Sequence, residues 1–149
     1  MVALIKEEKV KEEKVVESGA RLRYKVTKEC EDAGFTNLTE FPPQEGIMLR
    51  TLGRYAIPAY KQQEIKTGIH ITIPDGYAVI IRTREDIAMN KGLVIPFGFV
   101  LYGPKFSGEI VIPLKNLEGF TKVIENSEPV GTLIMIKYDK IKLVRESFD

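Results

Sequence analysis

The chain has 149 residues, 44% of them hydrophobic, with 22 Lys and Arg against 21 Asp and Glu and a net charge of +1. That length suits one domain with its own core, and the balanced charge disfavours nucleic acid or an anionic membrane surface as a partner held by bulk electrostatics. The single cysteine, Cys30, excludes an internal disulfide, no apolar run approaches the roughly 20 residues of a membrane span, and no apolar leader opens the chain, so a cytoplasmic or virion location is expected.

Residues 1–18 differ from the rest. The pentad KEEKV occurs at Lys6–Val10 and again at Lys11–Val15. Its residues favour or tolerate a helix, but Ile5, Val10, Val15 and Val16 hold no heptad. The expectation is a charged arm over 1–18, helical or disordered, able to reach a protein partner. The β domain follows over 19–149.

From Arg21 onward, short runs rich in β-branched and aromatic residues alternate with Gly and Pro. The predicted strands are 21–27, 47–52, 64–73, 77–83, 93–95, 99–101, 109–114, 120–123 and 133–143. Turns are marked by Pro42-Pro43, Pro74-Asp75-Gly76, Gly103-Pro104 and Ser107-Gly108. Only Arg84–Lys91 reads as a helix, closed by Gly92 as its C-cap. Many short strands at close spacing point to an all-β sandwich, jelly roll or barrel. Absent Trp and abundant Lys and Glu follow the trend of hyperthermophile proteomes.

The stretch IKTGIHITIPDGYAVIIRTREDIAMNKG, residues 65–92, resembles the centre of the dUTPase/dCTP-deaminase superfamily. Thr67-Gly68-Ile69, then Pro74, Gly76 and Tyr77, then Arg84, Ile87, Ala88 and Gly92 match its successive elements. Upstream, Asp32-Ala33-Gly34-Phe35 resembles the first family motif. Downstream, Gly103-Pro104-Lys105-Phe106-Ser107-Gly108-Glu109 resembles the third, Asn116 closes the next strand, and Val130–Ile134 resembles the fourth. The resemblance runs in order from Arg21 to Lys142. It implies a distorted jelly roll with one short helix, in homotrimers whose active sites lie between subunits.

The chemistry implied by the resemblance is poorly supplied. Hydrolysis of dUTP needs a carboxylate to activate water, and Mg²⁺ with cationic donors to neutralise phosphate charge. The family's base falls on Gly103, or on Leu101 with a shorter spacing, and neither accepts a proton. The helix that opens Arg-Ser-Gly in the family opens Arg84-Glu85-Asp86 here, and two carboxylates repel a polyphosphate unless a metal intervenes. The first-motif Asp falls on Thr36 or Asn37, and the fourth-motif Gln on Thr132, which reaches less far. No glycine lies in 142–149 to build a close-fitting lid. The deaminase Glu and Arg fall on Pro113 and Met89. Phe106 keeps an aromatic ring able to stack on a base. His70, the only histidine, is expected on the face opposite Ile69 and Ile71 and excludes a His-Cys zinc cluster.

The expected function is therefore a non-catalytic homotrimer, reused as a structural, assembly or regulatory component, viral or mobile-element derived, with no cofactor. The trimer surface or the arm would meet a protein partner. The alternatives are a divergent dUTP nucleotidohydrolase, dependent on Mg²⁺ and on Glu85, Asp86 or Glu109, and a deoxynucleotide-binding sensor. A bound nucleotide would meet Arg84, Glu85, Asp86, Gly103, Phe106, Gly108 and Thr132. No catalytic residue and no metal ligand is assigned.

Overall fold

A computed structural model describes residues 20–33, 38–40 and 46–148. The expected arm over 1–18 and the first-motif residues 34–37 lie outside the described residues. The elements in order are β1 (Arg23–Val26), α1 (Lys28–Asp32), β2 (Leu38–Glu40), β3 (Ile47–Arg50), β4 (Tyr55–Ile57), β5 (Gln62–Thr72), β6 (Tyr77–Arg82), α2 (Glu85–Lys91), β7 (Leu93–Val94), β8 (Phe99–Tyr102), β9 (Ser107–Asn116), β10 (Lys122–Ile124) and β11 (Pro129–Lys137).

The strands form two main sheets, ordered β1-β5-β9-β7 and β2-β3-β11-β6-β8, with β10 and β4 as a separate pair. All pairings are antiparallel. This is the expected all-β distorted jelly roll. Period-two alternation builds its core. Ile110, Ile112 and Leu114 of β9 and Ile65, Ile69 and Ile71 of β5 are buried in one layer. Val79, Ile81, Leu49 and Leu133 answer from the other. At Gly131 a Cβ would lie 2.9 Å from both Ile112 and Ile81. The glycine therefore lets β11 sit close where the sheets meet.

Two buried polar anchors fix the layers. Thr67 Oγ1 donates to the Ile110 carbonyl at 2.7 Å and accepts from the Ile69 amide at 3.2 Å. It thereby bridges the register shift between Lys66 and His70 in the β5–β9 pairing. Asn116 Nδ2 donates to the carbonyls of Ile57, Pro58 and Phe120, and its Oδ1 accepts from the Glu118 amide. One side chain thus ties the end of β9 to β4 and to the loop before β10.

Gly68 explains its own place in the Thr-Gly-Ile turn. Its φ is +73°, and an added Cβ would lie 2.7 Å from Cys30 Cβ. The preceding helix α1 packs directly on this turn, with Thr27 N donating to Gly68 O at 2.8 Å. Helix α1 was not expected from sequence. Its signal was Thr27, whose hydroxyl caps the Cys30 amide. Strand β4 was also missed. The strand predicted over 133–143 begins earlier, at Pro129, and ends at Lys137. Beyond Lys137, Ile141 and Leu143 are exposed and, among the described residues, no sheet partner extends the ladder. Pro113 sits in β9 opposite Glu64 and before the residues that pair with β7, so its missing N–H faces an unpaired edge.

Candidate functional site

Helix α2 is placed by the joint between β6 and β8. Thr83 N and Oγ1 both donate to Gly98 O, at 3.0 and 3.3 Å, and Thr83 Oγ1 accepts from Ile95 N at 2.9 Å. The helix ends at Gly92, whose φ of +65° is left-handed and whose absent Cβ would meet the Glu118 carboxylate at 2.6 Å. Buried Ile87 holds its inner face. Lys91 in its last turn donates to both oxygens of Glu128 and to Val123 O, each at 2.8 Å.

Arg84 occupies the N-cap position of α2, but its side chain makes no capping bond. Its guanidinium turns instead to partners that include Asp86 and Thr132. Nε donates to Asp86 Oδ1 at 3.0 Å and Nη2 to Asp86 Oδ2 at 3.2 Å, a fork-to-fork pair. Nη1 donates to Thr132 Oγ1 at 3.2 Å. Thr132 lies on β11, in register with Arg82 of β6, and is buried. The Arg84 side chain is 19% exposed and that of Asp86 51% exposed, so the carboxylate lies on the solvent side of the pair. Partial burial pushes the Asp86 carboxyl up, but the hydrogen bonds from Arg84 and the Ile87 amide, with the Arg84 charge, outweigh it and hold the group below its ordinary range. Glu85 is exposed beside them.

A second group sits on the β8–β9 turn. Phe106 N donates to Gly103 O, and Phe106 O accepts from Ile73 N. The Phe106 ring lies over Gly108, where a Cβ would come within 2.9 Å of Cζ, and packs at a 42° tilt against Tyr102 with centroids 4.5 Å apart. Tyr102 is anchored in turn, its hydroxyl donating to Val111 O at 3.2 Å. Burial first, and the charge of Glu64 besides, push the Tyr102 phenol above its ordinary value, while its Val111 backbone hydrogen bond opposes them. Gly103 faces open space.

One chain does not bring these groups together. Arg82 is in register with Phe99 and Val79 with Tyr102. Gly103 therefore lies four residues along β8 from the row of Arg82 and Thr132, roughly 13 Å at ~3.3 Å per residue. Arg84, Glu85, Asp86 and Thr132 share one end of the five-stranded sheet. Gly103 and Phe106 lie on the turn at the other end, and Gly108 lies at the start of β9 of the four-stranded sheet, in register with Ile71. Glu109 is on the other sheet, opposite His70 in register, with one buried carboxylate oxygen that has no hydrogen-bond donor among the described residues. Its charge is the main cause, with Glu29 next, of the raised pKa of Lys66. His70 lies, as expected, on the face opposite buried Ile69 and Ile71. Sequence reasoning missed the Asp86 fork and the Tyr102 platform. The signal for the first was an Arg and an Asp two residues apart at a helix start.

Among the described residues no group of three or more His, Cys, Asp or Glu is gathered for a metal, and no helix is long and apolar enough to cross a membrane.

The dUTPase family model matches residues 44–148. The deoxyuridine 5'-triphosphate nucleotidohydrolase of Finegoldia magna is 30% identical over 99 residues, 66% of this chain and 64% of that protein. That of Fusobacterium nucleatum is 27% identical over 101 residues, 68% of this chain and 64% of that protein. The chain thus spans just under two thirds of the length of these relatives. In three dimensions the chain resembles the dUTPase of Staphylococcus bacteriophage 80alpha, with TM-score 0.73, 16% identity and coverage of 87% of this chain and 98% of that one. It also resembles the dUTPase of Streptococcus mutans, with TM-score 0.69, 20% identity and coverage of 80% and 98%. Relatives that carry the name of a nucleotidohydrolase overturn the expectation of a non-catalytic structural or regulatory component and favour the hydrolase alternative. That expectation rested on single positions, chiefly Gly103, whereas the likeness extends through most of the chain. With the family model matched over 44–148, this chain belongs to the dUTPase family.

Proposed function

We propose that this chain is a deoxyuridine triphosphate nucleotidohydrolase, cleaving dUTP to dUMP and pyrophosphate, as an intracellular homotrimer with sites shared between copies. The observation that carries the reading is the Arg84 guanidinium, fixed where the start of helix α2 meets the stretch resembling the fourth family motif and bonded to Thr132 across 48 residues of chain. A cation held in place needs no reorganisation as charge builds on a phosphoryl group. The placement of Phe106 and Gly103 at the far end of the same sheet supports a shared site. A nucleotide gripped by Arg84 of one copy would have its base near Phe106 of another.

With glycine at 103, the attacking water needs another carboxylate. Asp86 is committed to Arg84. Glu85 is exposed, takes part in no ion pair among the described residues, and would be the carboxylate that polarises water. Mg²⁺ suits this surrounding, because it binds through one or two carboxylates together with substrate phosphates. Glu85 would hold it there, and the ion would neutralise triphosphate charge.

The test is pyrophosphate release by the purified chain with Mg²⁺ and each of dUTP, dCTP, dTTP and dATP. Turnover of dUTP above the other three is expected, and Glu85→Ala should abolish it. Absence of pyrophosphate from all four nucleotides would refute the proposal.

A further inference from the structure

We infer that Asp86 is a positioning residue that holds the edge of the Arg84 guanidinium against Thr132, so that β6, α2 and β11 present one fixed cationic group. The consequence for catalysis rests on the nucleotidohydrolase reading above; the positioning itself does not. Three donor groups of Arg84 are accounted for by two residues. Nε and Nη2 go to the two oxygens of Asp86, which fixes the plane of the guanidinium, and Nη1 goes to Thr132, which fixes its direction. A planar fork matched by a carboxylate leaves little rotational freedom, which a single hydrogen bond to Thr132 would not achieve.

Asp86 is itself fixed at its base, since Oδ1 also accepts from the Ile87 amide at 2.9 Å and Ile87 is buried. The chain of restraint therefore runs from the core, through Ile87 and Asp86, to Arg84. Asp86 is also the more exposed partner, so its charge faces an arriving polyphosphate and weakens ground-state binding. These two effects separate in a kinetic experiment. Removing the carboxylate relieves repulsion in the bound state but frees the guanidinium that the transition state needs.

Two measurements on the full chain test the inference. The first follows the Arg84 Nε–H by ¹⁵N NMR, without nucleotide. Its exchange with water is expected to quicken at least tenfold in Asp86→Ala and Asp86→Asn and to return within threefold of wild type in Asp86→Glu, which rebuilds the fork. Unchanged exchange in the Ala and Asn variants overturns the inference, whatever the protein's activity. The second measures steady-state kinetics with Mg²⁺ and dUTP. Asp86→Asn is expected to lower kcat at least tenfold while KM stays level or falls, with Tm unmoved. A rise in KM at constant kcat overturns the positioning role and leaves the nucleotidohydrolase reading intact. If the wild-type chain releases no pyrophosphate, that reading falls, and the exchange measurement alone decides the positioning.

Discussion

Arg84 and Thr132 are joined by a 3.2 Å hydrogen bond that spans the two elements where a phosphate-binding surface is expected. Thr132 is 2% exposed, so its hydroxyl contributes direction rather than a solvent contact. Thr132→Val keeps the shape and removes the acceptor. Loss of this one part-buried bond should cost about 1 kcal/mol of stability, measured by urea denaturation, while dUTP turnover falls roughly tenfold through a misdirected guanidinium. A variant with wild-type turnover would mean that Arg84 acts without Thr132.

Gly103 offers a gain-of-function test. No atom lies within 4 Å of a Cβ built there, so an aspartate enters without displacing a neighbour. Gly103→Asp restores a carboxylate at the position that the family resemblance assigns to the base. Positioned bases contribute on the order of 10²-fold or more, so kcat should rise at least tenfold. No rise would show that the β8–β9 turn does not face the reacting water.

Asn116 tests the fold rather than the chemistry. It is fully buried and satisfies three carbonyls and one amide. Asn116→Ala leaves these groups without their partner, the Ile57 carbonyl in a fully buried bond and the others in part-buried ones. The expected loss is about 3 kcal/mol, visible as a lower urea midpoint with an unchanged slope.

The glycines separate two kinds of constraint. Gly68 and Gly53 both have positive φ, +73° and +96°, but a Cβ at Gly68 meets Cys30 at 2.7 Å and one at Gly53 meets nothing within 4 Å. Gly53→Ala should cost about 1 kcal/mol for backbone strain alone. Gly68→Ala adds overpacking against α1 and should cost roughly 3 kcal/mol. Equal melting temperatures for the two variants would contradict the close packing of α1 on the Thr-Gly-Ile turn.

Acid should loosen the Arg84 site. Asp86 is held below its ordinary value of 3.8, so the folded chain takes up this proton less readily than the unfolded one. The stabilisation is fully present above the unfolded value and is lost as pH falls through the lower folded value. With Asp86 half-exposed, the pair contributes little to global stability, so the sensitive measure is local. The protection of the Arg84 Nε–H in wild type, taken relative to Asp86→Asn at the same pH, should fall only below pH 3.8, as the pH passes the lowered folded value.

The sequence by itself determined the sheet-rich class, the order of the turns and the frame of the α2 helix. Period-two alternation, Pro-Asp-Gly and a glycine C-cap are local signals, written within a few residues of the structure they produce. It also marked Gly68, Gly131 and Asn116 as places in a pattern, without the reasons for them. Those reasons are contacts with Cys30, with Ile81 and Ile112, and with the Ile57 carbonyl of β4, all distant in sequence. Helix α1 was hidden because five residues carry too little periodicity to outweigh strand-like neighbours. Only the tertiary structure decided that Arg84 and Thr132 lie at one end of the five-stranded sheet and Gly103 and Phe106 at the other, because register between β6, β8 and β11 sets that spacing. It also decided that Asp86, read from sequence as a repulsive charge, is half of a fork around Arg84. Pairing depends on where two side chains point in space, which their spacing along the chain does not fix.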